Sequence, residues 1–116
     1  MQTAVIAFDS NQLSIIMEKM LEDFGFKCFF AHTTKEIPEV VMDKRPLVLF
    51  TDWTLNEQDV IPVLPNLIPK PVLIFVSQEK DPKKIKEALD AGINEYIMKP
   101  FDNDILQSKL SLAGVL

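Results

Sequence analysis

The chain has 116 residues, 47% of them hydrophobic and 25% charged, with a formal net charge of -5 at pH 7. That mix describes one globular domain large enough to bury a core. An acidic chain with no basic run longer than Lys83-Lys84 argues against direct nucleic-acid binding, and no stretch reaches the roughly 20 apolar residues that membrane insertion needs. The start Met1-Gln2-Thr3 has no basic signal-peptide pattern. Cys28 is the sole cysteine, so no internal disulfide can form, and its run Cys28-Phe29-Phe30 predicts a buried core thiol. The expectation is a single cytoplasmic domain over residues 1–116.

Residues 3–8 (TAVIAF) are an apolar run of strand length. Leu13, Ile16, Met17, Met20, Leu21 and Phe24 then recur at three- and four-residue steps, the stripe of an amphipathic helix, with Gly25 placed as its C-terminal cap. Residues 27–31 (KCFFA) read as a second strand. Residues 34–43 read as a helix whose Pro38 falls in or just after the first turn, where it is tolerated. Pro46 introduces a third strand over residues 47–51. Pro62, Pro65, Pro69 and Pro71 then keep any helix between residues 56 and 71 short. Residues 72–76 (VLIFV) form a fourth apolar strand. Asp81-Pro82 supplies an N-cap and a first-turn proline to a helix that runs to Ala91 and stops at Gly92. Residues 95–98 are a fifth strand. Asp102 or Asn103 caps a last helix, with Ile105, Leu106 and Leu110 on its buried side.

Five strands alternate with five helices. Strands that are unbroken apolar runs are buried on both faces, so the pattern predicts a doubly wound α/β sandwich around a parallel sheet. In such a sheet ligands bind beyond the carboxyl ends of the strands. The residues there are Asp9 and Ser10, Asp52, Ser77 and Lys99. Two neighbouring carboxylates repel unless a cation sits between them, and oxygen donors with room for water suit Mg²⁺. A lysine and a hydroxyl opposite would hold phosphoryl oxygens, and a carboxylate can be the nucleophile that forms an aspartyl phosphate. Singly, each residue has a plain structural role, with Asp9 or Ser10 capping the first helix and Lys99 pairing with an acid. Together at the strand ends they point to a site.

The stretch VLIFVSQEKDPKKIKEALDAGINEYIMKPFDNDIL, with FDSNQL and FTDWTL ahead of it, resembles the receiver domain of bacterial two-component response regulators. The resemblance runs the full length. It implies a flavodoxin-like (βα)5 fold with a five-stranded parallel sheet in the order 2-1-3-4-5. It also implies that Asp52 is the phospho-acceptor, charged from a histidine kinase or a histidine phosphotransfer protein. Asp9, Asp52 and the backbone carbonyl of Thr54 would hold Mg²⁺. Lys99 would pair with the acids and then with the phosphoryl oxygens. Ser77 would move to the phosphoryl group, Tyr96 would swing inward behind it, and Lys99-Pro100 would be a cis peptide. The fourth helix, fifth strand and fifth helix would present the state to a downstream protein.

The chain departs from that family at several positions. Ser10 stands where a second acidic residue usually coordinates the metal, so Mg²⁺ is expected to bind weakly. Asn56 and Val60 replace a customary proline and glycine, and the segment between Asp52 and Ser77 is short, which predicts a short or distorted third helix. Gln78 replaces a small residue and would partly screen the phosphoryl group. Thr54 and Glu79 lie where the family tunes dephosphorylation; Glu79 either orients a water or is simply solvated. Trp53 either packs beside the third helix or belongs to a docking surface. His32 stands alone in a loop and is read as exposed.

The leading expectation is a stand-alone phosphorylation switch with output by protein–protein contact, since the chain ends a few residues past its last helix. No independent enzyme is expected beyond self-catalysed phosphorylation and dephosphorylation of Asp52. The alternative is a degenerate receiver that binds proteins independently of phosphate, favoured by Ser10, Val60 and Gln78. A small hydrolase acting on free substrates lacks an evident general acid beside Asp52.

Overall fold

The structure, a computed structural model, describes residues 2–116. In chain order it contains β1 (Gln2–Ala7), α1 (Asn11–Asp23), β2 (Phe26–Phe30), α2 (Glu36–Lys44), β3 (Val48–Thr51), β4 (Thr54–Leu55) and β5 (Gln58–Asp59). A 3-10 segment, Ile61–Asn66, leads to β6 (Val72–Ser77), α3 (Pro82–Asp90), β7 (Glu95–Met98) and α4 (Asn103–Leu112). The main sheet has the order β2-β1-β3-β6-β7 with every pair parallel, which is the predicted 2-1-3-4-5 once the small β4-β5 hairpin is set aside.

Alternation along the strands sorts the core into two layers. Ala4, Ile6, Val48, Phe50, Ile74, Val76 and Ile97 face Met17 and Leu21 of α1 and Leu106 and Leu110 of α4. Val5, Ala7, Leu49, Leu73, Phe75 and Tyr96 face the opposite way, onto Ile37 and Val41 of α2, Leu55, Val60, Leu64 and Leu67, and Ala88 of α3. Each large apolar side chain so buried contributes about 1.5–3 kcal/mol relative to exposure. This is why the central strands carry no polar alternation: neither face meets water. The polar exceptions stand at the carboxyl ends of the strands: Thr51 satisfies its buried hydroxyl by donating to the Ala7 carbonyl at 2.9 Å, and Ser77 closes β6.

Local signals set the helix ends. Asp81 accepts from the Lys83 N–H at 3.0 Å with Pro82 in the first turn, and Asp102 accepts from the Ile105 N–H at 2.9 Å. Gly25 and Gly92 follow their helices at φ 90 and 107, a conformation that costs side-chain-bearing residues dearly.

Four sequence expectations change. The third helix is not α-helical: prolines 62 and 65 lie inside the segment and only a 3-10 stretch forms, preceded by the unforeseen hairpin. Ile16 is 50% exposed, because the buried line of α1 runs through Ser14, Met17 and Leu21. Ile105 is exposed for the same kind of reason, with Leu106 and Leu110 taking the inner face of α4. Cys28 is half-buried, not enclosed. Its thiol is nonetheless pushed up to about 12, first by burial and then by the charges of Glu18 and Glu22, which favours the protonated thiol at neutral pH.

Candidate functional site

The carboxyl ends of β1, β3 and β7 deliver Asp9, Asp52 and Lys99 to one edge of the sheet. With Phe8, Ser10, Leu13 and Thr54 they line a cavity of about 150 Å³. Asp52 follows directly on β3, and its Oδ1 accepts the N–H of Trp53 at 2.6 Å. Its Oδ2 faces the Lys99 ammonium at 3.9 Å, with both side chains about a quarter to a third exposed (26% for Lys99, 30% for Asp52). At that distance and exposure water screens the attraction, so the pair orients more than it stabilises. Lys99-Pro100 is cis, as the resemblance implies, and Ile68-Pro69 is a second cis bond.

Asp9 is held from an unexpected direction. Its Oδ1 accepts the N–H of Asn56 at 2.8 Å, from the turn of the β4-β5 hairpin. That turn consists of Asn56 at φ 51 and Glu57 at φ 65, a two-residue connection that requires left-handed backbone at both positions. The backbone reversal thus occurs at Asn56-Glu57, and Val60, at φ -83 and fully buried, needs no glycine. Leu55 pairs with Gln58 next to the turn, and the Val60 N–H donates to the Trp53 carbonyl at 3.0 Å. Hydrogen-bonded pairs alternate along such a ladder, so the intervening Thr54–Asp59 pair leaves the Thr54 carbonyl free of it.

Ser10 is the N-cap of α1: its hydroxyl accepts from the Leu13 N–H at 3.1 Å, and its carbonyl accepts the Ser14 hydroxyl at 2.9 Å. The structural role weighed for it is the one observed. Ser77 is buried (4% exposed), and its Oγ accepts the Glu79 N–H at 3.1 Å; it does not form part of the cavity wall. Gln78 lines an adjoining groove with Ile16 and Met20, and this groove shares Leu13 and Lys99 with the Asp9–Asp52 cavity. Glu79 lines another pocket, with Trp53, Asp59 and Lys84. His32 is exposed.

Tyr96 is already inward, 6% exposed. Its hydroxyl accepts from the Trp53 indole N–H at 2.9 Å and donates to the Glu79 carbonyl at 3.2 Å. Phe75 packs against both in the core, edge-on to Trp53 at 5.2 Å and tilted to Tyr96 at 6.2 Å. Sequence reasoning missed both the hairpin and this bond. The only trace of the hairpin is Asn56, a residue that accepts left-handed backbone; Glu57 beside it hides the signal.

The donors fit a magnesium ion, though sparsely. Asp9 and Asp52 both line the cavity, and with the Thr54 carbonyl they would make a hard-oxygen set that leaves room for water. The Ser10 hydroxyl is committed to its cap. No group of three or more His, Cys, Asp or Glu side chains poised for a metal exists among the described residues.

Residues 4–111 match the family described as response regulator receiver domain. The chain is 25% identical over 115 residues to the phosphate regulon transcriptional regulatory protein PhoB of Pseudomonas aeruginosa, covering 94% of this chain and 50% of that protein. It is 24% identical to chemotaxis protein CheY1 of Helicobacter pylori, with 93% of each covered. It is 30% identical over 107 residues to the transcriptional regulatory protein CrdR of H. pylori, spanning 88% of this chain and, as with PhoB, about half the relative's length. Among solved structures, Vibrio cholerae CheY4 superposes with a TM-score of 0.83 at 19% identity over 100% of this chain and 99% of that one. A two-component response regulator from Clostridium difficile gives 0.87 at 16% identity, over 97% and 95%.

Proposed function

The chain belongs to the response regulator receiver family, and on that premise we propose that it is a phospho-acceptor switch in which Asp52 receives the phosphoryl group. Receiver domains of this family work with histidine kinases and downstream targets; the donor here would be a phosphohistidine on a kinase or phosphotransfer protein. An Asp52 carboxylate oxygen attacks phosphorus, the P–N bond breaks, and its electron pair stays on the imidazole nitrogen, which then takes a proton. The observation that carries this reading is the shared cavity that sets Asp52 opposite Lys99 and beside Asp9.

Each residue has a distinct task. Asp52 is held by the Trp53 N–H on one oxygen, which leaves the other for attack. Lys99 supplies positive charge where the phosphoryl oxygens accumulate negative charge. Asp9, the Thr54 carbonyl and Asp52, through the oxygen that accepts the Trp53 N–H, would hold Mg²⁺, which would neutralise phosphoryl charge when bound. Ser77 would exchange its contact with the Glu79 N–H for a phosphoryl oxygen. Output would pass through α3, β7 and α4, where Leu89, Met98, Ile105 and Leu112 stand exposed.

Phosphate-independent protein binding is the second reading, favoured by the commitment of Ser10 to its cap. Intact-mass measurement after incubation with Mg²⁺ and acetyl phosphate, or with a competent kinase, separates the two. A single phosphoryl adduct that is lost completely in Asp52→Asn supports the switch. No adduct under either condition supports the binding module.

A further inference from the structure

Trp53 is joined to the site at both of its ends. Its backbone N–H donates to Asp52 Oδ1 at 2.6 Å, while its indole N–H donates to the Tyr96 hydroxyl at 2.9 Å. The chain of bonds continues: the Tyr96 hydroxyl donates to the Glu79 carbonyl at 3.2 Å, and the Glu79 N–H donates to Ser77 Oγ at 3.1 Å. The acceptor carboxylate and the Ser77 hydroxyl are thus linked through Trp53, Tyr96 and the Glu79 backbone.

We propose that Trp53 is a positioning residue that holds Tyr96 inward through the indole-to-hydroxyl bond before Asp52 is modified. This deepens the phospho-acceptor reading and rests on it for its consequence, that the β7 surface is preset in the unmodified protein. The physical basis is satisfaction of a buried phenol. Turned outward, Tyr96 would leave the indole N–H without this acceptor and vacate space beside Phe75. Turned inward, its oxygen both accepts and donates, and its ring closes the aromatic layer. Trp53 is itself fixed: Phe75 meets its ring edge-on at 71°, and the Lys84 ammonium lies over it at 5.7 Å. A fixed indole presents its donor at a fixed point, so the tyrosine is drawn to one position.

The chain has one tryptophan and one tyrosine, so each gives a single unambiguous signal. In the unmodified 116-residue chain, Tyr96→Phe is expected to move the lone indole N–H resonance upfield and to speed its exchange with solvent about fivefold, the effect of losing one net hydrogen bond. Trp53→Phe is expected to raise the nitration rate of Tyr96 by tetranitromethane by a similar factor. A tryptophan that only packs would leave the indole resonance of Tyr96→Phe in place, and that result overturns the proposal even if Trp53→Phe fails to fold. An unchanged nitration rate in folded Trp53→Phe overturns it as well. Neither measurement involves a phosphodonor. An Asp52 that fails to take phosphate leaves both readable, and a missing Trp53–Tyr96 bond leaves the acceptor role of Asp52 intact.

Discussion

Two stretches of chain approach Asp52, and they are built from different material. The stretch from β6 to Pro100 is regular: a six-residue buried strand, a capped helix, a second strand and a cis proline. The stretch from Trp53 to Leu67 has no α-helix; a two-residue hairpin and a 3-10 turn cover the same sheet face. Yet Leu55, Val60, Leu64 and Leu67 in the irregular stretch are as buried as Leu73 and Phe75 in the regular one. A sheet face requires apolar cover at the right spacing, and a helix is only one way to supply it.

If that equivalence holds, Leu55→Ala and Leu73→Ala should each cost about 2–5 kcal/mol in urea unfolding, since both leave a cavity in the same layer. A loss below about 1 kcal/mol for Leu55→Ala alone would mean the hairpin is loosely docked and would break the comparison. A smaller effect sharpens it at the metal end. Ser10→Asp keeps an oxygen acceptor for the α1 cap and adds a carboxylate to the cavity wall, so Mg²⁺ should bind about tenfold more tightly by calorimetry. Unchanged affinity would show that residue 10 does not face the ion. The smallest effect lies in the turn. Glu57 sits at φ 65, so Glu57→Gly should stabilise the chain by about 0.5 kcal/mol, read as a rise in the unfolding midpoint. A loss of stability there would mean that the Glu57 side chain contributes more than its backbone strain costs.

The same contrast separates what was legible in the sequence from what was not. Strands and caps of the regular stretch are specified by neighbours: VLIFV has no polar break, Asp81-Pro82 opens a helix, Gly92 ends it. Asp9, Asp52 and Lys99 could be brought together from the order of strands alone, because a parallel sheet places all carboxyl ends on one edge. The hairpin could not, since Glu57 carries no preference for the backbone it adopts and the prolines only forbid a helix without naming a substitute. Nor could the Trp53–Tyr96 bond, which joins residues 43 positions apart through side-chain directions that no local pattern encodes. Ile16 and Ile105 were misplaced for a related reason: an apolar stripe wider than the buried line leaves its margin open to solvent.

The hairpin turn also fixes how this segment can vary. Leu55 and Val60 point inward while Thr54 and its partner Asp59 lie outward, a pattern set by a pairing with two residues between its strands. Adding or removing one residue between Leu55 and Val60 would shift that pairing, turn one of the two buried side chains toward water and carry the Asn56 N–H away from Asp9. Sequence drift across these positions is therefore constrained in length more than in letters.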